Sequence, residues 1–174
     1  MTNSLDAGLR DSEGELAPTR FVIAHDDYHA RFVGRTADGR QFFITTPFTS
    51  ATYDHTSGEF VARYLFDADG ALVDATIVAL GPRPDAVALP GNVMQFPAQA
   101  EALEQLLNAI RPVTFENIEI SPFSTTAHGR EFGLILQGAD PDYPDDDDWH
   151  WTVTVEPGDY MAFYSPWDSG EYDT

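Results

Sequence analysis

Two residue types are missing from this 174-residue sequence, which contains no cysteine and no lysine. Without cysteine the chain cannot form a disulfide or offer a thiolate to a metal, and a reducing cytoplasm is the compartment we expect. Without lysine it lacks the residue on which a phosphate-binding P-loop, a pyridoxal phosphate Schiff base and an amine nucleophile depend. We therefore expect no cofactor.

Long apolar runs are also absent. No stretch approaches the roughly 20 apolar residues that cross a bilayer. Residues 1–20 carry four acids and no apolar segment, so we expect neither a membrane span nor a secretory signal. These residues have few large apolar groups, which predicts a flexible N-terminal arm. Residues 21–174 are expected to form a single domain, since the chain as a whole is 43% hydrophobic.

Positive charge is scarce as well. Nine arginines face 29 acids, which gives a formal charge of −20. No basic residue follows Arg130, so residues 131–174 hold twelve acids without a single arginine. Nucleic-acid binding depends on Lys and Arg to neutralise phosphates, so the composition argues against direct binding to DNA or RNA. It favours a basic protein partner, a cation or simple solubility.

The sequence does contain a pattern of short strands around one helix. Strands are predicted over residues 30–35, 41–46, 59–66, 71–80, 113–120, 131–136, 152–155 and 161–164. Apolar residues recur at helical spacing between Pro97 and Pro112, which predicts a helix over about 97–111. The order of strands, helix and strands predicts an α+β fold, a mostly antiparallel β-sheet built from hairpins with this helix packed on one face.

The segment Phe66–Asp74 resembles the first motif of haloacid dehalogenase phosphatases. In that motif one aspartate attacks phosphorus, and a second, two residues later, acts as acid and base. Here Ala71 replaces the usual threonine, and no lysine is present to hold the phosphoryl group. The segment that follows predicts a hairpin strand instead of a β-α-β unit. An Asp-Gly hairpin turn is therefore the favoured interpretation.

Two other clusters have the composition of metal sites. The run Asp140–Asp148 offers carboxylates to Ca²⁺, but Asp145 stands where an EF-hand needs glycine and Trp151 where it needs a bidentate glutamate. His25 and His29 are four residues apart, which in the strand geometry of their flanks is about 13 Å. A solvated or partner-facing loop is the favoured interpretation of the acidic run, and ordinary surface or capping residues that of the two histidines, so no metal site is predicted.

No catalytic residue is assigned from the sequence. His55, His128 and His150 could each act as a base, but none has a partner nearby in the sequence to identify it as one. The Gly-x-Ser-x-Gly elbow of serine hydrolases is absent. The pattern thus favours a binding protein over an enzyme.

Tryptophans beside the densest acids form the best candidate for a binding surface. Trp149 and Trp151 closely follow the four aspartates Asp145–Asp148, and Trp167 precedes Asp168. Tryptophan is enriched at interface hot spots, but core packing with Trp151 inward and the acids outward is the favoured interpretation of the tryptophans taken alone. The predicted partner-binding residues are Asp145, Asp146, Asp147, Asp148, Trp149, Trp167 and Asp168.

Several short motifs carry a family resemblance. They comprise residues 37–39 with 41–43, 66–70, 118–123, 132–134 and the closing motif Pro166–Thr174. Together they resemble a group of small bacterial proteins described as formate hydrogenlyase regulatory proteins, over most of residues 25–174. The resemblance implies transcriptional regulation, which a chain without a basic recognition helix would exert through a protein partner. It implies no catalytic residue.

The sequence therefore favours a non-enzymatic regulatory module, inhibitor- or immunity-like, that binds a basic protein. Complementary charge would speed that association. The alternative is an enzyme or small-ligand binder with a carboxylate or histidine site, which a deep pocket with convergent polar groups would favour. A DNA mimic is a third hypothesis, and it requires acids spaced like phosphates along one face.

Overall fold

The computed structural model describes residues 8–51, 53, 57–82, 87–89 and 93–174. The elements in this part of the chain are the strands β1 (Phe21–Ile23), β2 (Phe32–Thr36), β3 (Gln41–Thr45), β4 (Phe48–Thr49), β5 (Gly58–Phe66), β6 (Leu72–Gly81), β7 (Val87–Leu89), β8 (Val93–Gln95), the helix α1 (Pro97–Asn108), and the strands β9 (Val113–Phe115), β10 (Ile118–Ile120), β11 (Phe123–Ala127), β12 (Arg130–Gln137), β13 (Thr152–Glu156), β14 (Ala162–Phe163) and β15 (Tyr172–Asp173). The fold is α+β, mostly antiparallel sheet with one helix among the described residues, as the sequence predicts.

A six-stranded antiparallel sheet forms the middle layer. Strand β5 pairs with β3 and β4 along one edge and with β6 along the other, while β2 and β9 extend the sheet beyond β3. Every residue of β3 is buried, and so are seven of the nine in β5. Successive side chains of a strand point to opposite faces, so a strand buried throughout requires cover on both faces of its sheet.

Helix α1 covers one of those faces. Its buried residues Ala102, Leu106 and Leu107 pack with Ile110 against side chains of β3 and β5. Pro97 is the first residue of the helix. A backbone N–H at that position has no partner within the helix, so proline, which lacks one, costs no hydrogen bond there. No helix in the described part of the chain has the length and apolar character needed to cross a membrane.

The helix ends at Asn108, three residues before the predicted end. The carbonyl of Leu106 accepts a hydrogen bond of 2.9 Å from Nη1 of Arg63, which reaches it from β5. The N–H of Ile110 bonds instead to the carbonyl of Leu107, so the last turn tightens to three-residue spacing. Arg63 also places a cation at the negative end of the helix, which has no basic residue in its own last turn.

A five-stranded antiparallel sheet, in the order β11-β12-β13-β14-β15, covers the other face. Its inward residues, among them Phe132, Leu134, Val153 and Val155, pack against Phe43, Tyr64 and Phe66 of the middle sheet and against β1 and β10. The result is three layers, helix, sheet and sheet, with a separate apolar cluster at each interface.

The strand predicted over residues 113–120 is in fact two strands in different sheets. Strand β9 pairs with β2, whereas β10 pairs with β1. Polar contacts stabilise the two residues between these strands. Glu116 forms an ion pair of 2.7 Å with Arg35, and the Asn117 side chain accepts the N–H of His25. An alternating pattern alone gives no sign of this change of partner.

The segment with the phosphatase-like motif is a hairpin turn between β5 and β6. The carboxylate of Asp67 accepts the N–H groups of Asp69 and Ala71, both at 2.9 Å, and Gly70 adopts φ +91°. The strand that follows is antiparallel to β5, not part of a β-α-β unit. This confirms the turn and contradicts the phosphatase alternative.

Candidate functional site

The acidic loop, residues 140–148, joins β12 to β13 and is exposed at every position. Two of its aspartates shape it. The Asp140 carboxylate accepts the N–H of Asp142 at 2.9 Å, and the Asp146 carboxylate accepts the N–H of Asp148 at 3.0 Å. Such Asx turns fold the loop without burying its side chains, so the loop presents carboxylates to solvent.

The described arginines form their ion pairs outside this loop. The arginine ion pairs are Arg20–Glu119 at 3.5 Å, Arg35–Glu116 at 2.7 Å, Arg40–Asp38 at 3.0 Å and Arg63–Asp74 at 3.9 Å. Beyond residue 130, the one ion pair among described residues joins His150 to Asp148 at 3.7 Å, and it requires a protonated histidine. Among the described residues, no arginine forms an ion pair with the loop, and Arg10, in the segment that contacts Trp149, donates instead to the carbonyl of Gly14 at 2.7 Å.

Two tryptophans follow the acidic loop and differ in burial. Trp151 is 3% exposed, and its indole N–H donates to the carbonyl of Glu15 at 3.2 Å. Its inward orientation agrees with the core interpretation of this residue. Trp149 is half-buried and stands edge-on to Trp151, with ring centroids 5.0 Å apart. Trp149 therefore keeps part of its ring available beside the acids.

The described part of the predicted N-terminal arm packs beside these tryptophans. Arg10 and Leu16 form an isolated antiparallel bridge, and the N–H of Ser12 bonds to the carbonyl of Trp149 at 3.0 Å. The carboxylate of Asp11 accepts the N–H of Trp151 at 3.3 Å. Residues 10–16 thus form one flank of the surface that bears Trp149.

Trp167 and Asp168 occupy a different place from the acidic loop. Trp167 is half-buried against the interior between the two sheets, and its carbonyl accepts the N–H of Val22 in β1 at 2.8 Å. Asp168 is exposed. Among the described contacts, none joins these two residues to the loop or to Trp149. The structure therefore divides the predicted surface into an acidic loop with Trp149 and a second region around residues 164–174.

That second region contains a cleft of about 750 Å³, here called the tyrosine cleft. Two segments line it, each here called a wall: Ala24, Asp26 and Tyr28 belong to the first, and residues 164–166 and 169–174 to the second. Three tyrosines and three acids line it, namely Tyr28, Tyr164, Tyr172, Asp26, Glu171 and Asp173, and no lining residue is basic. The sequence did not indicate this site, because its walls are well over a hundred residues apart in the chain.

Close backbone contact holds the two walls of the tyrosine cleft together. The N–H of Ala24 bonds to the carbonyl of Gly170 at 3.3 Å, and a Cβ on that glycine would stand only 2.7 Å from the Cβ of Ala24. Gly170 also has φ +73°, a conformation that favours glycine. Across the same junction the hydroxyl of Tyr172 donates to the carboxylate of Asp26 at 2.5 Å.

The pKa values of the titratable groups at this junction are shifted so that each group keeps one charge state near neutral pH. Burial alone would raise the pKa of Asp26, but hydrogen bonds from Tyr172, from the N–H of Tyr28 and from the N–H of Ala30 outweigh it and lower that pKa. Burial and the bond to Asp26 raise the pKa of Tyr172 to about 12. Burial lowers the pKa of the neighbouring His29. At neutral pH the junction is an ionised aspartate held by neutral donors.

A second cavity, of about 360 Å³, lies where residue 9 meets β11 and β12. It is lined by apolar groups, including Leu9, Phe123 and Trp151, and by the polar side chains of Ser124 and Glu131. The hydroxyl of Ser124 donates to the Glu131 carboxylate at 2.6 Å. Because these two groups satisfy each other, the cavity does not present the convergent free polar groups of an enzyme site.

One arrangement has the residue types of a catalytic triad. The hydroxyl oxygen of Ser12 lies 3.3 Å from Nδ1 and 3.5 Å from Nε2 of His150, and Nε2 lies 3.7 Å from the Asp148 carboxylate. A working triad places the serine and the acid on opposite ring nitrogens. Here the serine oxygen lies within 3.5 Å of both ring nitrogens, the Asp148 carboxylate at 3.7 Å is beyond hydrogen-bond distance of Nε2, and all three side chains are exposed. The geometry does not support nucleophilic catalysis.

The other histidines are separate from one another. His25 stacks on Phe115 with ring centroids 5.6 Å apart, His29 packs among tyrosines, and Nε2 of His128 lies 2.9 Å from the carbonyl of Ile77. His55 lies outside the described residues. Within the described residues, no three His, Asp or Glu side chains form a group that could hold a metal ion.

Neither family models, nor curated proteins, nor solved structures give a match to this chain. The short motifs that resemble formate hydrogenlyase regulatory proteins therefore stay a prediction. Function has to be inferred from the two surfaces described above, the acidic loop with Trp149 and the tyrosine cleft.

Proposed function

We propose that this protein is a non-enzymatic binding module that recognises a basic protein through the acidic loop and Trp149. The observation that supports this is the separation of charge. Residues 140–148 are exposed throughout, and the described arginines form their ion pairs with acids that precede residue 120. A concentrated, unneutralised negative surface attracts a basic partner over a range of about 8–10 Å at physiological salt.

Charge and the tryptophan would have different effects in such an interface. Exposed carboxylates at a rim raise the rate of association more than the final affinity. A half-buried aromatic ring such as that of Trp149 supplies apolar area that becomes buried on binding, as hot-spot residues do. Asp145–Asp148 would then raise the association rate of the partner, and Trp149 would slow its dissociation.

The proposed role is regulatory and cytoplasmic. A protein that covers a basic surface acts as an inhibitor or a mask, so the regulation implied by the family resemblance would be exerted on a protein and not on DNA. The absence of cysteine fits a reducing compartment. Catalysis is not part of the proposal, because neither the cavity beside Ser124 nor the Ser12–His150–Asp148 arrangement presents the geometry of an active site.

Affinity capture from a bacterial lysate tests this proposal. The folded protein is immobilised at low salt, bound proteins are eluted with a salt gradient, and they are identified by mass spectrometry. We expect one stoichiometric basic protein. The loop variant, Asp145→Asn with Asp146→Asn, Asp147→Asn and Asp148→Asn, should release it at lower salt, because it lacks four charges of the attracting surface.

The matched control removes four exposed acids from other parts of the chain. These substitutions are Asp69→Asn, Glu101→Gln, Glu104→Gln and Asp159→Asn. This control changes the net charge equally, so it should release the partner at nearly the same salt as the unmodified protein. Equal release from the loop variant and the control would show that only net charge matters and would contradict the assignment of the loop. Capture of no basic protein would contradict the function.

A further inference from the structure

The tyrosine cleft has a chemical character that the acidic loop lacks. Two of its aromatic rings are open to solvent, since Tyr28 is 66% and Tyr164 is 43% exposed. The ring of Tyr28 rests on that of His29, with centroids 4.1 Å apart, which holds it in place at the cleft wall. Exposed rings that line one concave surface provide flat, electron-rich faces for a bound group.

The carboxylates of the cleft are of two kinds. Asp26 accepts the Tyr172 hydroxyl at 2.5 Å, which joins the two walls, and two backbone N–H groups of its own segment at 2.8 and 3.0 Å, so its oxygens are occupied within the protein. Glu171 and Asp173 are exposed and line the cleft from the closing segment, and no described arginine pairs with either. These two carboxylates are the ones left to meet a ligand, and they require a positive one.

A guanidinium group fits this combination better than an ammonium group. It is planar and weakly hydrated, stacks on aromatic faces, and donates hydrogen bonds in a fork that matches a carboxylate. An ammonium group is a compact, strongly hydrated charge that uses the aromatic faces less well. The volume of about 750 Å³ is in the range of ligand sites and would hold a side chain with part of its backbone.

We propose that the tyrosine cleft receives an arginine side chain of the basic partner, with the guanidinium against the rings of Tyr28 and Tyr164 and its N–H groups toward Glu171 and Asp173. This inference rests on the proposed function, since it takes the occupant from a basic protein. It gives the partner two points of contact. The acidic loop provides long-range attraction, and the cleft selects arginine.

A titration with a defined peptide tests the cleft. A capped tetra-arginine peptide is added to the ¹⁵N-labelled protein, and amide shifts are followed by NMR, with a capped tetra-citrulline peptide as the uncharged control of the same shape. We expect saturable shifts at residues 24–28 and 164–173 with tetra-arginine and none there with tetra-citrulline. A tetra-lysine peptide should bind the cleft more weakly than tetra-arginine.

Two pairs of substitutions separate the aromatic and the charged contributions. Tyr28→Leu with Tyr164→Leu should weaken tetra-arginine binding at the cleft about 5- to 30-fold, from two exposed cation–π contacts. Glu171→Gln with Asp173→Asn should weaken it and flatten its salt dependence. These side chains are exposed apart from their place in the cleft, and the amide spectrum of each variant reports whether it is folded.

The outcomes distinguish the cleft from the loop. Shifts confined to residues 140–149 would overturn the cleft proposal and leave the proposed function intact. Equal shifts at the cleft with tetra-citrulline would also overturn it, because the site would then not select positive charge. Tetra-arginine binding that is unchanged when both tyrosines are replaced would overturn the assignment of the rings. A protein that binds tetra-arginine in the cleft but captures no basic protein from lysate would support the cleft chemistry and contradict the proposed function.

Discussion

The chain before residue 131 and the chain after it belong to the same fold but differ in the chemistry of their surfaces. The earlier part carries every arginine, and its described ion pairs all form within it. The later part has no arginine but still supplies Phe132, Leu134, Val153 and Val155 to the interior between the sheets. The alternation of apolar residues along the strands therefore forms the interior of both parts in the same way, whereas the charge of their exposed surfaces differs.

The missing arginines cost the later part little stability. An exposed ion pair contributes a median of about 0–1 kcal/mol, so a surface without such pairs can still fold. Crowded like charges oppose the compact state instead. The twelve acids after residue 130 are thus not explained by stability. This difference is what points to a binding role for that surface.

The largest expected effect tests the claim that the apolar interior holds the fold. Phe43→Ala removes a ring that is 0% exposed between the two sheets, and it should lower the free energy of unfolding by about 3–5 kcal/mol. Tyr143→Ala removes a ring of similar size from the acidic loop, where it is 67% exposed, and should change that free energy by less than about 0.5 kcal/mol. Urea unfolding measures the free energy of unfolding of both variants, and equal losses would contradict the claim that the apolar interior holds the fold.

A smaller effect is expected from the buried amide of Gln41. Its Nε2 donates to the carbonyls of Asp67 at 3.2 Å and Glu119 at 2.9 Å, and its Oε1 accepts the N–H of Glu119 at 2.8 Å. Gln41→Leu leaves the N–H and the carbonyl of Glu119 without these partners, whereas the Asp67 carbonyl keeps the N–H of Gly70 at 3.1 Å. The substitution should lower the free energy of unfolding by about 1–3 kcal/mol.

Gln137→Leu is the matched control for Gln41, because this amide lies at the exposed end of β12 next to the acidic loop. It should leave stability unchanged to within about 0.5 kcal/mol. The comparison fails if the two leucine variants unfold at the same urea concentration.

Alkaline pH should weaken the junction beneath the tyrosine cleft. The folded-state pKa of Tyr172 is raised to about 12 from its ordinary value of 10.0. Between these values the unfolded chain loses a proton that the folded chain keeps, so the stability that Tyr172 provides is complete below pH about 10 and is lost as pH rises toward 12. Burial also raises the pKa of Tyr64 and Tyr160, which adds to the decline.

Urea unfolding at a series of pH values measures that decline. Tyr172→Phe removes one of the three groups and should make the fall above pH about 10 shallower than in the unmodified protein. An identical pH profile for this variant would contradict the role given to the Tyr172 hydroxyl at the junction.

The smallest expected effect on stability is that of the loop variant with four Asp→Asn substitutions at residues 145–148. Asparagine at 146 can still accept the N–H of Asp148 or its replacement, so the turn should persist. The free energy of unfolding should stay within about 0.5 kcal/mol of the original, or rise slightly as repulsion falls. A loss of more than about 1 kcal/mol would show that the aspartates are structural and would remove the main argument for a binding role.

Much of the fold could be predicted from the sequence, because its long strands and its helix have strong local patterns. The turns at Gly39 and Gly70 and the apolar stripe of α1 are examples. Strand β11 was missed because Ser124, Thr125 and Thr126 supply little apolar periodicity, and it is recognisable only through its pairing with β12. The two-residue strand β15 is defined only by its partner β14.

The candidate site could be predicted only in part. The acidic loop is contiguous in sequence, so its exposure followed from composition alone. The tyrosine cleft depends on the contact of Gly170 with Ala24 and on the bond of Tyr172 to Asp26, residues some 146 positions apart. These contacts result from the packing of β1 against the closing segment, and no local sequence pattern predicts that packing.

The most direct test of the central claim is the rate at which the captured partner associates, measured by stopped flow over a range of salt concentrations. The account predicts fast association that slows steeply with salt for the unmodified protein, and about tenfold slower, flatter association for the loop variant, with the four-acid control close to the unmodified protein. Identical rates and salt dependence for the loop variant and the unmodified protein would contradict the claim that residues 145–148 attract the partner.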